Sequence, residues 1–214
     1  MDTDDPEWDA VKSLLREASA KSRGYAGYWE WAIDRPAAEE HAARVLVHFL
    51  IKKPEMVTGT LSPWRPDPPD VVWTETDGSR VGIEVTELVS GDMAARHRHL
   101  KKHGLPISYE WAHWTPATIA GELSRIVTVK DFKLKKARGE FSKLLLAIKT
   151  DEPMIDETVA RQAIYLCRAV ADTIDRAFLI LSYLPLSDPS HYPDQCPVLE
   201  IPLHRQAPES APNI

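Results

Sequence analysis

The chain has 214 residues, of which 43% are hydrophobic and 27% charged, and its formal net charge is −6. That is the balance of an ordinary globular protein, and the length suits one large domain better than two small ones. No run approaches the ~20 apolar residues of a membrane helix; Val45–Ile51 and Ala177–Leu186 are the best and are too short. The start, Met1–Asp9, is acidic and lacks the basic and apolar regions of a secretory signal. Cys167 and Cys196 lie far apart with no C-x-x-C spacing, so they read as reduced thiols of a cytoplasmic protein.

In chain order, a helix is expected over Pro6–Ala20, followed by an aromatic stretch, Tyr25–Trp31, that reads as packing. The next helix has Asp34 as cap and Pro36 in its first turn. Its apolar stripe runs Ala42, Leu46, Phe49 and Leu50, and Pro54 marks its end. Ser62–Asp70 is rich in proline and must be extended or turning. Val71–Thr76 and Arg80–Leu88 read as strands joined by the tight-turn pair Asp77-Gly78.

Helical patterning follows over Asp92–His103 and Pro116–Arg138, with Gly139 as a stop. Leu144–Ile148 reads as a strand buried on both faces. A helix is expected over Asp156–Ala171, a strand over Arg176–Leu184 and a last strand over Pro197–Leu203. This order predicts one α/β domain over residues 1–203, with an N-terminal helical extension and a loose tail over 204–214. Its architecture is three α/β/α layers around a mixed sheet.

Charge is unevenly spread. Gly91–Lys143 carries 11 Lys+Arg against 5 Asp+Glu, and the rest carries 15 against 27. A basic middle can present a phosphate-binding face, although solvated helix surface explains most of these charges. His97, His99 and His103 lie on a basic helix without the further ligands of a zinc site, and they read as exposed. Ser142 and Ser182 lack the flanking glycines of a nucleophile elbow.

The hairpin carries the chemistry. Strand alternation sends Ile83 and Val85 to one face and Glu84 and Thr86 to the other. Asp70 stands at the entrance of the partner strand, across from Glu84. Two carboxylates held that close raise each other's pKa unless a cation lies between them. Their oxygens suit Mg²⁺ or Mn²⁺.

Pro69-Asp70, the hairpin and Glu84-x-Thr86 resemble the PD-(D/E)XK nuclease signature over roughly Asp34 to Tyr183. The resemblance implies a restriction-endonuclease-like fold and metal-dependent hydrolysis of phosphodiester bonds. It gives Asp70 and Glu84 as metal ligands, and as the partner nucleic acid, DNA in preference to RNA, and it leaves room for a homodimer. The pattern departs from the family where its lysine is replaced by Thr86, which carries no charge.

A substitute cation is available. The stripe Ile119, Leu123, Ile126, Leu134 and Ala137 includes position 130, which is Lys130. A lysine facing inward needs a partner, and a carboxylate pair beneath the helix would be one; Lys133 is the runner-up, and snorkelling to water is the bland competitor. Glu39 sits on the buried stripe of its own helix and is a third metal-ligand candidate. Glu40 replaces it if the helix phase is off by one, and a carboxylate that merely complements the helix N-terminus is the competing reading.

Three functions are therefore carried forward. The first is a Mg²⁺-dependent nuclease using Asp70, Glu84, Thr86 and Lys130. The second is an inactive module of the same fold that binds nucleic acid or a protein. The third is an unrelated α/β protein with an accidental hairpin match.

Overall fold

The computed structural model describes residues 35–103, 111–182 and 196–205. The helix expected over Pro6–Ala20, the aromatic stretch Tyr25–Trp31 and the Asp34 cap lie outside the described residues. The elements are α1 (Arg35–Lys52), β1 (Gly59–Pro63), β2 (Val71–Glu75), β3 (Arg80–Glu87), α2 (Gly91–Lys102) and α3 (Pro116–Leu134). A 3-10 turn (Lys135–Glu140) continues α3. Then come β4 (Lys143–Thr150), α4 (Glu157–Leu166), β5 (Ala169–Val170), β6 (Arg176–Leu181), β7 (Val198–Ile201) and β8 (Leu203–His204).

Six strands form one mixed sheet in the order β1-β2-β3-β4-β6-β7. β3, β4 and β6 run parallel, and the outer pairs are antiparallel. The parallel centre explains the unbroken apolar run of β4, whose residues Leu144 to Ile148 are all buried.

Alternation along each strand splits the core in two. On one face Val71, Trp73, Ile83, Val85, Leu145 and Phe178 pack with Ala43, Leu46 and Leu50 of α1. On the other, Val72, Leu144, Leu146, Ile148 and Leu179 pack with Ile119, Leu123, Val127 and Leu134 of α3 and with Ala160 and Ala163 of α4. Each fully buried leucine or isoleucine contributes roughly 1.5–3 kcal/mol of transfer free energy. Helices thus cover both faces of the sheet, and the mixed α/β class follows from the period change seen in the sequence.

The hairpin forms as its turn chemistry dictates. Gly78 has φ +87°, which only glycine adopts freely, and Asp77 Oδ1 accepts from Ser79 N at 2.8 Å. The resulting pairing sets Val71 against Ile83 and Val72 against Gly82. Gly82 answers to a second constraint. A Cβ there would lie 2.8 Å from Leu144 Cδ2 and 3.0 Å from Pro69 Cγ, so its bare backbone lets the proline-rich segment before β2 seat against the sheet.

α3 begins where Thr115 and Thr118 cap each other's backbone N–H groups, with Pro116 at the first helical position. Its regular turns end at Leu134, earlier than Gly139, because the 3-10 turn takes over.

Ser62–Asp70 is extended and then turning, as expected, and its first two residues belong to β1, which pairs with β2 from Gly59↔Glu75 to Pro63↔Val71. Other expectations change. The helix expected over Asp156–Ala171 stops at Leu166, and Ala169–Val170 pairs instead with Leu203–His204. The tail therefore does not begin loosely at His204. Arg205 Nη1 donates to the carbonyls of Ala171 at 2.9 Å and Ile174 at 3.3 Å, while residues 206–214 lie outside the described residues. His97 is also buried, at 4% exposure, because with Ala94 it forms the inward face of α2. His99 and His103 are exposed, with their rings 4.5 Å apart. Among the described residues no helix is long and apolar enough to cross a membrane.

Candidate metal and anion site

Extending the β2–β3 register by one step puts Asp70 opposite Glu84. Both are buried, at 6% and 3% exposure. Asp70 is anchored by its own backbone, whose carbonyl accepts from Trp64 N at 3.0 Å, and its Oδ2 accepts from Val85 N at 2.8 Å. Glu84 projects to the α3 side of the sheet, where Lys130 Nζ lies 2.5 Å from its Oε1. Its second oxygen, Oε2, is buried and has no hydrogen-bond partner among the described residues.

That arrangement is electrostatically strained. Burial pushes the Asp70 carboxyl up to about 6 from its ordinary 3.8, and the charge of Glu84 adds to the rise. Glu39 raises it further, while the Val85 N–H and the Lys130 ammonium act in the opposite direction. Lys130, at 14% side-chain exposure, lies over the carboxylates at the stripe position read from helical spacing.

A third carboxylate joins the pair. Ligand oxygens of Asp67, Asp70 and Glu84 lie within 4.8 Å of one another. Oxygens on opposite sides of one Mg²⁺ are about 4.2 Å apart, so this spacing is close to that of a shared ion. An all-oxygen donor set suits Mg²⁺ or Mn²⁺ rather than zinc or copper.

Asp67 was not among the sequence candidates. It sits in the proline-rich turn, whose path is fixed by tertiary contacts: Lys136 Nζ donates to Asp67 O at 3.1 Å, and Pro69 packs on Gly82. The run Pro66-Asp67-Pro68-Pro69-Asp70 holds a signal in hindsight, two aspartates on one stiff segment.

The three carboxylates open into a cleft of about 540 Å³ whose other walls include Lys130, Phe132, Lys133, Lys135 and Lys136. Two sequence candidates stand apart from it. Glu39 on α1 is not one of the three clustered carboxylates and reaches the site through its charge on Asp70. Thr86 is half-buried and does not line the cleft. Lys133, the runner-up to Lys130, lines the cleft, but Lys130 makes the contact with Glu84.

No family model and no curated protein matches this chain. A solved structure from Pseudomonas aeruginosa strain PAO1, described as a protein of unknown function of the Monooxygenase Superfamily, is similar to it. The alignment covers 82% of this chain and 81% of that chain at 15% identity, with a TM-score of 0.36. A likeness of that size assigns neither fold family nor function.

These findings correct the expected family. None of the matches is to a PD-(D/E)XK protein. The family resemblance, the nuclease activity built on it, and the inactive nuclease-fold module are withdrawn. The physical reason lies in the motif itself. Two carboxylates facing each other across a hairpin define a local electrostatic problem, not a lineage or a reaction. The one position that would have added chemical specificity is Thr86, which is uncharged and off the cleft.

Proposed function

We propose that this chain binds a divalent cation, Mg²⁺ or Mn²⁺, through Asp67, Asp70 and Glu84, and with it holds a phosphate-bearing ligand in the lysine-walled cleft. The observation that carries this reading is the buried, unpartnered Oε2 of Glu84 beside a second buried carboxylate. A buried charge left short of partners is costly, and a cation shared with Asp70 would remove that cost.

The roles divide by chemistry. Asp70 and Glu84 supply anionic oxygens from a rigid hairpin, and Asp67 closes the set from the proline-rich turn. When bound, a divalent ion would neutralise and orient phosphate oxygens. Lys130 lines the same cleft beside the carboxylates, where an ammonium can pair with ligand oxygens as well as with Glu84. Glu39 tunes the site by keeping negative potential on Asp70.

Isothermal titration with Mn²⁺ tests the reading. The expected result is one site that is lost in Asp70→Asn and in Glu84→Gln, with Mn²⁺ affinity falling by at least about 100-fold. Unchanged Mn²⁺ binding in both variants would remove the site. Inorganic pyrophosphate should then bind in the presence of Mn²⁺ and not in its absence.

A further inference from the structure

Resting on the cation site just proposed, we infer that its ligand is a nucleoside diphosphate, with the base stacked on Phe132 and the phosphates on the lysines and the metal. Phe132 is 75% exposed although it belongs to the cleft wall. It sits one turn from the end of α3, within three residues of Lys130, Lys133 and Lys135 along the helix and its 3-10 extension. Lysines at a helix C-terminus commonly complement the helix dipole, so the cations alone would not identify a ligand. The exposed Phe132 ring beside them adds a planar apolar surface that the lysines do not supply.

The ring has an orientation that can be used. Lys135 Nζ lies 5.8 Å from its centroid, a cation–π contact that takes up one face and leaves the other to a planar group. Bases stack on aromatic side chains without regard to sequence, because every base has a π-face. The structure therefore selects an aromatic ring and not a particular base.

Charge sets the number of phosphates. Four lysines and three carboxylates line the cleft, and a divalent cation would raise its surplus to three positive charges. A phosphate monoester carries about −1.5 to −2 at neutral pH and a diphosphate about −3, so a diphosphate matches the surplus and a monophosphate falls short. The cleft's 540 Å³ lies within the ~300–1,000 Å³ usual for small-molecule sites.

The test compares ADP with pyrophosphate by titration in Mg²⁺, using the full chain, Phe132→Ala and Phe132→Trp. Phe132 is exposed, so both variants should keep the wild-type melting temperature. The expected result is ADP binding about tenfold tighter than pyrophosphate. Phe132→Ala should erase that preference while leaving pyrophosphate affinity unchanged, and Phe132→Trp should restore it with quenching of the new indole. Equal affinity for the two anions in wild type and Phe132→Ala would overturn the nucleotide inference and leave the cation–anion site standing. Failure of both anions to bind would overturn both. Affinity that climbs with the length of a single-stranded oligonucleotide would replace the nucleotide with a strand.

Discussion

Two buried aspartates on the α3 side of this molecule receive opposite treatment. Asp131, 7% exposed, follows Lys130 on α3, and its Oδ1 accepts from the backbone N–H groups of both Thr173 and Ile174 at 2.8 Å. It ties α3 to the loop that leads into β6. Asp70, equally buried, accepts one N–H and faces a second carboxylate that itself has an unpartnered oxygen. A buried carboxylate whose oxygens meet fixed donors is scaffold. On the reading proposed above, one crowded by another anion is a group whose cost a shared cation would remove. The same side chain at the same depth thus meets two environments, and the donors around it distinguish them.

The comparison can be broken at Asp131 first. Asp131→Ala would leave two buried backbone donors unsatisfied, at about 1–3 kcal/mol each. We expect a loss of roughly 2–6 kcal/mol in chemical denaturation. Metal affinity of the folded fraction should not change. A loss of metal binding at unchanged stability would reverse the two assignments.

Asp70 sharpens the contrast through pH. Its folded pKa, about 6, lies above its unfolded value of 3.8, so the native state holds the proton longer. Between pH of about 4 and 6 the unfolded chain ionises this group while the folded chain resists, and stability falls as pH rises through that window. Roughly 3 kcal/mol is the upper bound from a shift of this size. Denaturation of wild type against Asp70→Asn without divalent cations should show this extra downward slope in wild type alone. Saturating Mg²⁺ should reverse the extra slope in wild type, because the ion binds the ionised carboxylates and holds the folded pKa down, and an identical pH profile for both proteins without metal would contradict the buried-repulsion account.

The smallest effects belong at the margins. Glu39→Gln removes a charge that acts on Asp70 from outside the carboxylate cluster. Mn²⁺ affinity should weaken by about threefold or less, whereas Thr86→Val should leave it within about twofold because Thr86 does not line the cleft. Comparable large losses in both would mean that the site extends along β3 and α1 well beyond the hairpin.

How much of this was legible in the sequence follows from which forces fixed each part. The hairpin was, because Asp77-Gly78 sets the register and alternation then puts Asp70 against Glu84. The inward position of Lys130 was legible because helical phase depends only on spacing along α3. β1 was not, since Gly59–Pro63 is polar, half-exposed and paired on one side only. The early end of α4 and the small β5–β8 sheet were hidden for a similar reason, because two-residue strands leave no periodic trace. Asp67 was missed because its place depends on how a proline-rich loop docks on Gly82 and Lys136, contacts that no local pattern encodes. The family and the reaction were beyond reach because a carboxylate pair records a charge problem without recording which ligand solves it.

Everything functional here depends on Asp70 and Glu84 sharing one divalent ion. A crystal grown with Mn²⁺ and measured at the manganese absorption edge tests that most directly. The account predicts an anomalous peak between the two side chains, about 2.2 Å from an oxygen of each, with Asp67 completing the contact. A fully occupied Mn²⁺ elsewhere on the protein, with Glu84 Oε2 still facing no cation, would contradict it.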